Sequence, residues 1–290
     1  MPLVDNALVR IGRAIGKPPG WERVVRALAP PSRYAGASPR PTIMPDGYVF
    51  PIDPGTLIGW HIRFFGSYEP EVRAQIKRWL TPGACAVDVG ANVGWHALLM
   101  ATVVGPGGCV FAFEPNDSTR ERLQAGIRVN HLDQIVVDSR ALSDRIGTTG
   151  FAAPKAGELW DGTGRMTGTP ADAGAAGGGL VQCVTLDAFV AERKLDRLDF
   201  MKIDVEGWEL SVLRGASRTL ATLSPVIVFE YDPAYIARCG GSATDLNACF
   251  DAAHYRLFML EARRPQVPIE RLAHVGGNIL ALPPRRMSTV

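Results

Sequence analysis

The sequence predicts a doubly wound, mostly parallel α/β sheet, and two observations lead to this prediction. From residue 84 onwards, short apolar runs alternate with stretches of helical periodicity, and strands separated by helices form parallel sheets. Several runs are apolar throughout, as expected of strands buried on both faces, and end at a glycine or a carboxylate. Ligands of such sheets bind at the carboxyl ends of the strands, so we expect a ligand site there.

The elements follow from periodicity and from stop signals. Helices are expected at residues 69–80, 95–104, 117–130, 186–193, 209–220 and 244–253. Strands are expected at residues 84–89, 109–114, 135–142 with a trailing loop, 181–184, 198–203, 226–230, 255–260 and 278–282. Pro82-Gly83 stops the first of these helices, and Gly105-Pro106 stops the second.

The glycine-rich stretch 157–179 interrupts this alternation. It contains no Val, Ile, Phe or Tyr and cannot supply a packed core of its own, which predicts a mobile loop. Trp160 and Met166 are isolated apolar residues within it. We hypothesise that this loop is a lid over the substrate, with these two side chains making the contact.

The first fifty residues have a different character. Proline pairs punctuate residues 1–50, which predicts an irregular N-terminal arm with one helix near 21–28. The catalytic domain is therefore expected to span residues 51–290.

The start of this arm has a helical pattern of its own. Four large apolar residues recur at helical spacing: Val4, Leu8, Ile11 and Ile15. A short helix that packs on the domain or on a partner is the favoured interpretation. A peripheral membrane contact is the weaker alternative, because only four large apolar side chains are offered.

The composition argues against two classes of protein. The chain has 290 residues, with 31 Lys and Arg against 29 Asp and Glu, a balance that does not suit a nucleic-acid binder. No apolar run approaches the ~20 residues of a membrane span, so integral membrane contact is not expected. The five cysteines form no C-x-x-C pair, which favours reduced core thiols over a zinc site and indicates a cytoplasmic location.

The segment Val87–Gly94 is the most informative motif. Asp88 ends a strand, and Gly90 and Gly94 leave the following loop without side chains, where backbone amides at a helix start meet a ligand. The spacing matches neither the dinucleotide fingerprint nor the phosphate loop. Asp88 would repel a pyrophosphate but can bind an ammonium group, so an amino-acid cofactor tail fits better.

Glu114 ends the next strand and can accept both hydroxyls of a ribose. NAD-binding folds use the same device, and an ordinary strand-terminal Glu is an equal alternative when this residue is taken alone.

A second cluster follows a later strand. Lys202, Asp204 and Glu206 lie within five positions, and Asp204 and Glu206 should face the same crevice as Asp88 and Glu114. Two nearby carboxylates can poise one of the pair as a general base, or can bind a divalent cation. A capping and salt-bridge role is the commoner fate of acids at a helix start. His61 and His96 also lie near the predicted site, although a structural role is the commoner one for a lone histidine.

Several motifs together resemble one family. They are Val87–Gly94, Phe113-Glu114-Pro115, Asn130, Ala141–Asp144, Thr185-Leu186-Asp187, Lys202–Gly207 and Val212–Ala216. In order and spacing they are similar to the FkbM-type S-adenosylmethionine-dependent methyltransferases, over residues 66–232. The resemblance implies a class I methyltransferase sheet, Rossmann-like, with seven strands of which the last is antiparallel. It also implies O-methylation of a small-molecule hydroxyl on a sugar, a polyketide or another natural product or glycolipid.

The resemblance also implies roles for individual residues. The cofactor S-adenosylmethionine would contact Asp88, Gly90, Asn92 and Gly94 around its methionine moiety, Glu114 at the ribose, and Ala141 and Leu142 at the adenine. The resemblance implies five further cofactor-binding residues: Ala91, Pro115, Asn116, and, ahead of the first strand, Tyr68 and Glu69. No metal is implied.

The catalytic hypothesis places Asp204 or Glu206 as the acceptor of the hydroxyl proton, with Lys202 tuning the pair. An NAD-dependent oxidoreductase on a similar sheet and a non-catalytic cofactor-binding subunit are the competing functions. Tyr231, Asp232 and Tyr235 are candidates for the acceptor pocket. A homo-oligomer is compatible with the sequence.

Overall fold

The structure is a computed structural model that describes residues 2–15, 18, 20–152, 164–167, 178–261, 266–273 and 276–289. The described residues up to Pro70 form one compact unit, and those from Glu71 onwards form another. No helix in these ranges has the length and apolarity needed to cross a membrane.

The first unit holds three helices and a hairpin among its described residues. They are α1 (Pro2–Ile15), α2 (Trp21–Leu28), β1 (Arg40–Ile43), β2 (Val49–Ile52) and α3 (Leu57–Phe65). The helix expected near 21–28 is confirmed as α2. The boundary expected near residue 51 falls within β2, and the division into arm and domain stays a prediction.

Trp60 is the centre of the first unit. It is fully buried among Leu8, Val25, Ala29 and Phe64, and its indole Nε1 donates to the Ala29 carbonyl at 2.7 Å. The three helices therefore share one small core, which the proline-rich sequence did not suggest.

The second unit begins with α4 (Pro70–Trp79) and contains the large sheet. Its strands and helices in chain order are β3 (Cys85–Val89), α5 (Trp95–Val104), β4 (Cys109–Phe113), α6 (Asp117–Asn130), β5 (Ile135–Asp138), β6 (Ala141–Leu142), β7 (Gly147–Ala152), β8 (Arg165–Met166), β9 (Gly179–Val184), α7 (Leu186–Glu192), β10 (Phe200–Ile203), α8 (Glu209–Arg214), α9 (Ser217–Thr222), β11 (Val226–Tyr231), α10 (Pro233–Arg238), α11 (Ala243–Ala252), β12 (Arg256–Met259), β13 (Val267–Ile269) and β14 (Gly277–Leu282). The segments Pro31–Tyr34 and Pro284–Thr289 are 3₁₀ helices.

The large sheet has the predicted doubly wound architecture. Its strand order is β13-β12-β14-β11-β10-β3-β4-β5, and the five strands from β5 to β11 are parallel. The last strand, β14, runs antiparallel between β11 and β12, as the resemblance implied. The short edge strand β13 adds an eighth strand to the expected seven. The central strands β3 and β10 are buried along their whole length. A ligand can therefore reach their residues only where the strands end, at the carboxyl edge of the sheet.

A separate four-stranded sheet, in the order β6-β9-β7-β8, was not foreseen. Residues 141–142 and 181–184 were expected to follow or continue the main alternation, but they pair with each other in this second sheet. A short apolar run does not indicate which sheet its strand joins, because the strands of the two sheets have the same residue periodicity and similar lengths.

The helix expected over 209–220 is two helices, α8 and α9, separated near Gly215. A Cβ on Gly215 would lie 2.0 Å from the Ser143 carbonyl oxygen, and its own carbonyl accepts from the Asp187 amide at 2.9 Å. Close tertiary contact at this glycine therefore accompanies the break that periodicity did not predict.

Met166 was expected on a mobile loop, yet it lies buried in β8 opposite Phe151. The other proposed lid residue, Trp160, lies outside the described residues, as does most of the stretch 157–179. The lid stays a hypothesis.

Candidate active site

The loop between β3 and α5 lies against the end of β10. Gly90 has a φ of 77°, and a Cβ on it would be 2.0 Å from the Asp204 carbonyl oxygen. The amides of Gly90 and Ala91 both donate to the Phe113 carbonyl at 3.0 Å. Glycine is required at residue 90 because of both the left-handed backbone and the close approach.

Lys202 joins the two predicted halves of the site. It pairs in register with Asp88 across β10 and β3. Its Nζ lies 3.0 Å from Asp204 Oδ2 and 3.9 Å from Asp88 Oδ1. Both Lys202 and Asp88 are buried, so the ion pairs lie where solvent screening is weak. Asp88 and Asp204 thus lie near the same ammonium group, whereas the crevice expected between them stays a prediction.

Glu114 closes the loop from the β4 side. One carboxylate oxygen accepts from the Asn92 amide at 2.9 Å, and the other accepts from the Asn116 amide at 2.8 Å. Burial raises the pKa of Glu114 to about 7, against these two hydrogen bonds. Each oxygen retains a further lone pair, so the carboxylate can also accept from a ligand hydroxyl.

Asn116 and Pro115 position the next helix. The Asn116 side chain caps α6 by accepting from the amides of Ser118 and Thr119. The carbonyls of Glu114 and Pro115 both accept from Arg120 Nη1 at 3.0 Å. The Asn116 cap and the Arg120 hydrogen bonds thus fix the turn between β4 and α6, where Glu114 lies.

Asp204 is the more acidic of the two candidate bases. Burial disfavours its charged form, but the Lys202 ammonium and a hydrogen bond with the Glu230 side chain outweigh it and lower the pKa of Asp204.

Glu206 is different in its environment. Burial, with the Asp204 charge second, raises the pKa of Glu206 to about 7. Its backbone is left-handed, with a φ of 56°, and its carbonyl accepts from Arg238 Nη2 at 3.2 Å. Two neighbouring carboxyls with pKa values moved in opposite directions are the arrangement expected of a spectator and a base.

Two glutamates of this site received no role from the sequence. Glu230 is the penultimate residue of β11 and is hydrogen-bonded to Asp204. Glu209, in the first turn of α8, reaches back to accept from the amides of Val205 at 3.0 Å and Gly207 at 3.3 Å, and burial raises its pKa to about 7. The available signals were a carboxylate at a parallel strand end and a Glu at a helix start.

His96 also belongs to this neighbourhood. It is buried at the start of α5, and burial, followed by the charges of Lys202 and Arg73, holds the pKa of His96 well below its usual range. The Arg73 guanidinium stacks 4.2 Å from the centroid of the Trp95 ring beside it. His96 is therefore neutral at physiological pH.

The remaining predicted cofactor residues lie elsewhere. Ala141 and Leu142 are buried in β6, next to Ser143, whose hydroxyl accepts from Trp208 Nε1 at 3.3 Å. Tyr68 and Glu69 belong to the first unit, where the Tyr68 ring lies 5.5 Å from that of His61. Their cofactor roles stay predictions. Gly94 is left-handed at φ 90° and is the N-cap of α5.

A metal centre was the other use considered for Asp204 and Glu206. In the part of the chain that the structure describes, no group of three or more His, Cys, Asp or Glu side chains is placed to hold a metal ion.

Residues 88–263 match the family model of the methyltransferase FkbM domain, which is more than half of the chain. The chain belongs to the FkbM methyltransferase family. The matched range starts at Asp88 and includes the Glu114 corner and the Lys202–Asp204 pair.

Known proteins show further similarities to this FkbM-family chain. It is 32% identical over 143 residues to the hexuronic acid methyltransferase AglP of Haloferax volcanii, which covers 49% of this chain and 53% of that protein. The chain thus spans about half the length of this curated relative. A crystal structure of methyltransferase FkbM from Methylobacillus flagellatus KT aligns with a TM-score of 0.44 and 18% identity, covering 76% of this chain and 52% of that one. A methyltransferase structure from Streptococcus mutans in complex with SAH aligns with a TM-score of 0.43 and 5% identity, covering 73% and 95%.

Proposed function

We propose that this protein transfers a methyl group from S-adenosylmethionine to a hydroxyl of a sugar. The observation that carries the proposal is the Lys202 bridge, which ties the cofactor-side carboxylate Asp88 to the acceptor-side carboxylate Asp204. Cofactor and acceptor functions then meet at one point on the sheet edge.

The residues present fit this cofactor. Asp88 offers a buried carboxylate to an ammonium group, and Gly90 lets the loop after β3 lie directly against the Asp204 carbonyl, which brings the two strand ends together. Glu114 is held by two backbone amides at the next strand end, where a ribose is expected. A pyrophosphate would face the Asp88 charge, which argues against a dinucleotide.

When bound, S-adenosylmethionine supplies an electrophilic methyl group. The protein has to orient the acceptor oxygen, exclude water and receive one proton. Glu206 is the base that we assign, because its pKa of about 7 suits proton transfer near neutral pH. Asp204 stays ionised beside Lys202 and makes a second carboxylate available to hold the acceptor hydroxyl.

A sugar acceptor is favoured by the relative named for hexuronic acid methylation. Because that similarity spans only half of each chain, the sugar remains the proposal, and neutral hexoses and phenols are the comparison set. Uronic acids are the first acceptors to assay.

The test is methyl transfer from labelled S-adenosylmethionine to a panel of uronic acids, neutral sugars and phenolic hydroxyls, together with calorimetric cofactor affinity. Glu206→Gln should lower kcat by about 10²–10⁴-fold with little change in cofactor affinity, as for loss of a general base. Asp88→Asn should weaken cofactor binding by about tenfold or more, because it removes a charged hydrogen bond. The exposed Asp133→Asn is the matched control and should change neither.

Three kinds of result would contradict the proposal. Near-normal turnover of Glu206→Gln would remove the proposed base, and near-normal turnover of Asp204→Asn would remove the proposed holder of the acceptor hydroxyl. Thermal stabilisation by NAD but not by S-adenosylmethionine would favour the oxidoreductase, and cofactor binding without transfer to any acceptor would favour a non-catalytic subunit.

A further inference from the structure

The start of the chain differs from the rest in charge. Residues 1–40 contain seven Lys or Arg and two Asp or Glu, a net charge of +5, whereas the remaining residues contain 24 and 27, a net charge of −3. The basic character of the protein therefore resides in its first forty residues.

The same segment leaves large apolar side chains in solvent. On α1, Leu8 is buried in the Trp60 core, but Val4, Ile11 and Ile15 remain 49%, 43% and 45% exposed. Of the four residues in the predicted apolar stripe, only Leu8 is thus buried. Arg10 is exposed on the same helix.

The second helix repeats the arrangement. Val25 of α2 is buried in the same core, whereas Val24 and Leu28, one turn apart, are 42% and 47% exposed. Arg23 is exposed beside them. Val24 and Leu28 therefore add to the exposed apolar side chains that the pattern in α1 alone indicated.

We propose that α1 and α2 form a docking face for an anionic lipid surface, which would make this a peripheral membrane protein. Exposed aliphatic side chains bordered by arginines are what inserts into the headgroup region of such a surface. A second copy of the chain is a poorer occupant, because two segments of charge +5 would repel each other. A nucleic acid would pair with the arginines but offers no apolar phase to the isoleucines. The proposal does not depend on methyl transfer.

The experiment is co-sedimentation of the full chain with vesicles of phosphatidylcholine, with and without a minority of phosphatidylglycerol, at low and high salt. Binding is expected only with phosphatidylglycerol and should weaken with salt. Arg10→Gln with Arg23→Gln should lower the partition coefficient about fivefold for each arginine removed. Ile11→Ser with Ile15→Ser should lower it at least about tenfold, because half-exposed isoleucines lose their burial in lipid.

Two control variants distinguish the contribution of the α1–α2 face from the general effect of removing an exposed apolar or basic side chain. Ile43→Ser removes a 77% exposed isoleucine of the first unit outside the two helices, and Arg128→Gln removes an exposed arginine of the second unit. Neither should change binding. Serine and isoleucine have similar helix propensities, and circular dichroism verifies that α1 persists.

Equal sedimentation with and without phosphatidylglycerol would overturn the proposal, as would equal losses in the control variants. A concentration-dependent dimer that Ile11→Ser with Ile15→Ser abolishes would assign the face to a second copy instead. Methyl transfer to a soluble sugar is a separate assay, so failure of the proposed reaction would leave the vesicle result unaffected.

Discussion

Asp204 illustrates how one residue depends on neighbours from three strands. Lys202 of β10, the strand just before Asp204, lies 3.0 Å away, and Lys202 in turn lies 3.9 Å from Asp88 of β3. Glu230 of β11 hydrogen-bonds to the Asp204 side chain. This hydrogen bond lowers the pKa of Asp204, which is the direction expected when the Asp204 carboxylate accepts.

We therefore predict that Glu230→Gln is tolerated and Glu230→Ala is not. The glutamine amide can still donate to Asp204, which should keep kcat within a few-fold of the wild type. Alanine removes a hydrogen bond to a charged group, worth about 1.5–3 kcal/mol, and should lower kcat by about 10- to 100-fold. Steady-state kinetics of the two variants measure this. Equal losses in both would show that Glu230 does not position Asp204 by donation.

At the scale of elements, two strand-to-helix loops fit against each other. The loop after β3 carries left-handed Gly90 and Asn92, and the loop after β10 carries left-handed Glu206 and Gly207. Gly90 contacts the Asp204 carbonyl, and a Cβ on Gly207 would lie 2.4 Å from the Tyr235 carbonyl oxygen. The site is built by backbone contact as much as by side chains.

Gly90→Ala should destabilise the protein more than Gly83→Ala. Both glycines have left-handed φ values, 77° and 81°, so both lose about 1–2 kcal/mol to backbone strain. Only at residue 90 does the new Cβ meet backbone, at 2.0 Å against 3.9 Å for residue 83, so we expect at least about 2 kcal/mol more there. Urea unfolding gives the two free energies, and equal values would contradict the loop contact.

For the whole molecule, buried acids connect the site to stability. Burial raises the pKa values of Glu114, Glu206 and Glu209 to about 7, from 4.5 in the unfolded chain. The fold therefore retains protons on these groups at pH values where the unfolded chain has released them. The stability that they contribute is complete below about pH 4.5 and is lost as pH rises through 7.

The free energy of unfolding should accordingly fall between about pH 5 and pH 7.5, by up to about 1.4 kcal/mol per pH unit for each carboxyl. Asp138, Asp199 and Asp204 have lowered pKa values, so their opposite contribution is lost at more acidic pH, below about 4. Denaturant unfolding across this range measures the slope. Glu209→Gln should flatten it, since the amide oxygen can still accept from Val205 and Gly207. A free energy of unfolding that rises with pH over this range would contradict the raised pKa values of the three glutamates.

Much of the fold could be predicted from local sequence. The apolar runs at 85–89, 109–113 and 226–231 and the helix over 117–130 have periods and stop signals that local structure obeys. The second sheet, the α8–α9 break and the core around Trp60 could not be predicted, because pairing partners and close approaches such as that of Gly215 to Ser143 are not encoded in spacing. The same limit hid Glu230, whose partner lies in a different strand.

The sequence by itself determined the family, the parallel sheet and the acids at its strand ends, because these depend on short-range patterns along the chain. Only the tertiary structure decided which of those acids meet. Register between β3 and β10 sets Lys202 opposite Asp88, and strand order places Glu230 beside Asp204. Charges interact over a few ångströms of space and not along the chain, so the lowered pKa of Asp204 and the raised pKa of Glu206 arise only when the sheet is assembled.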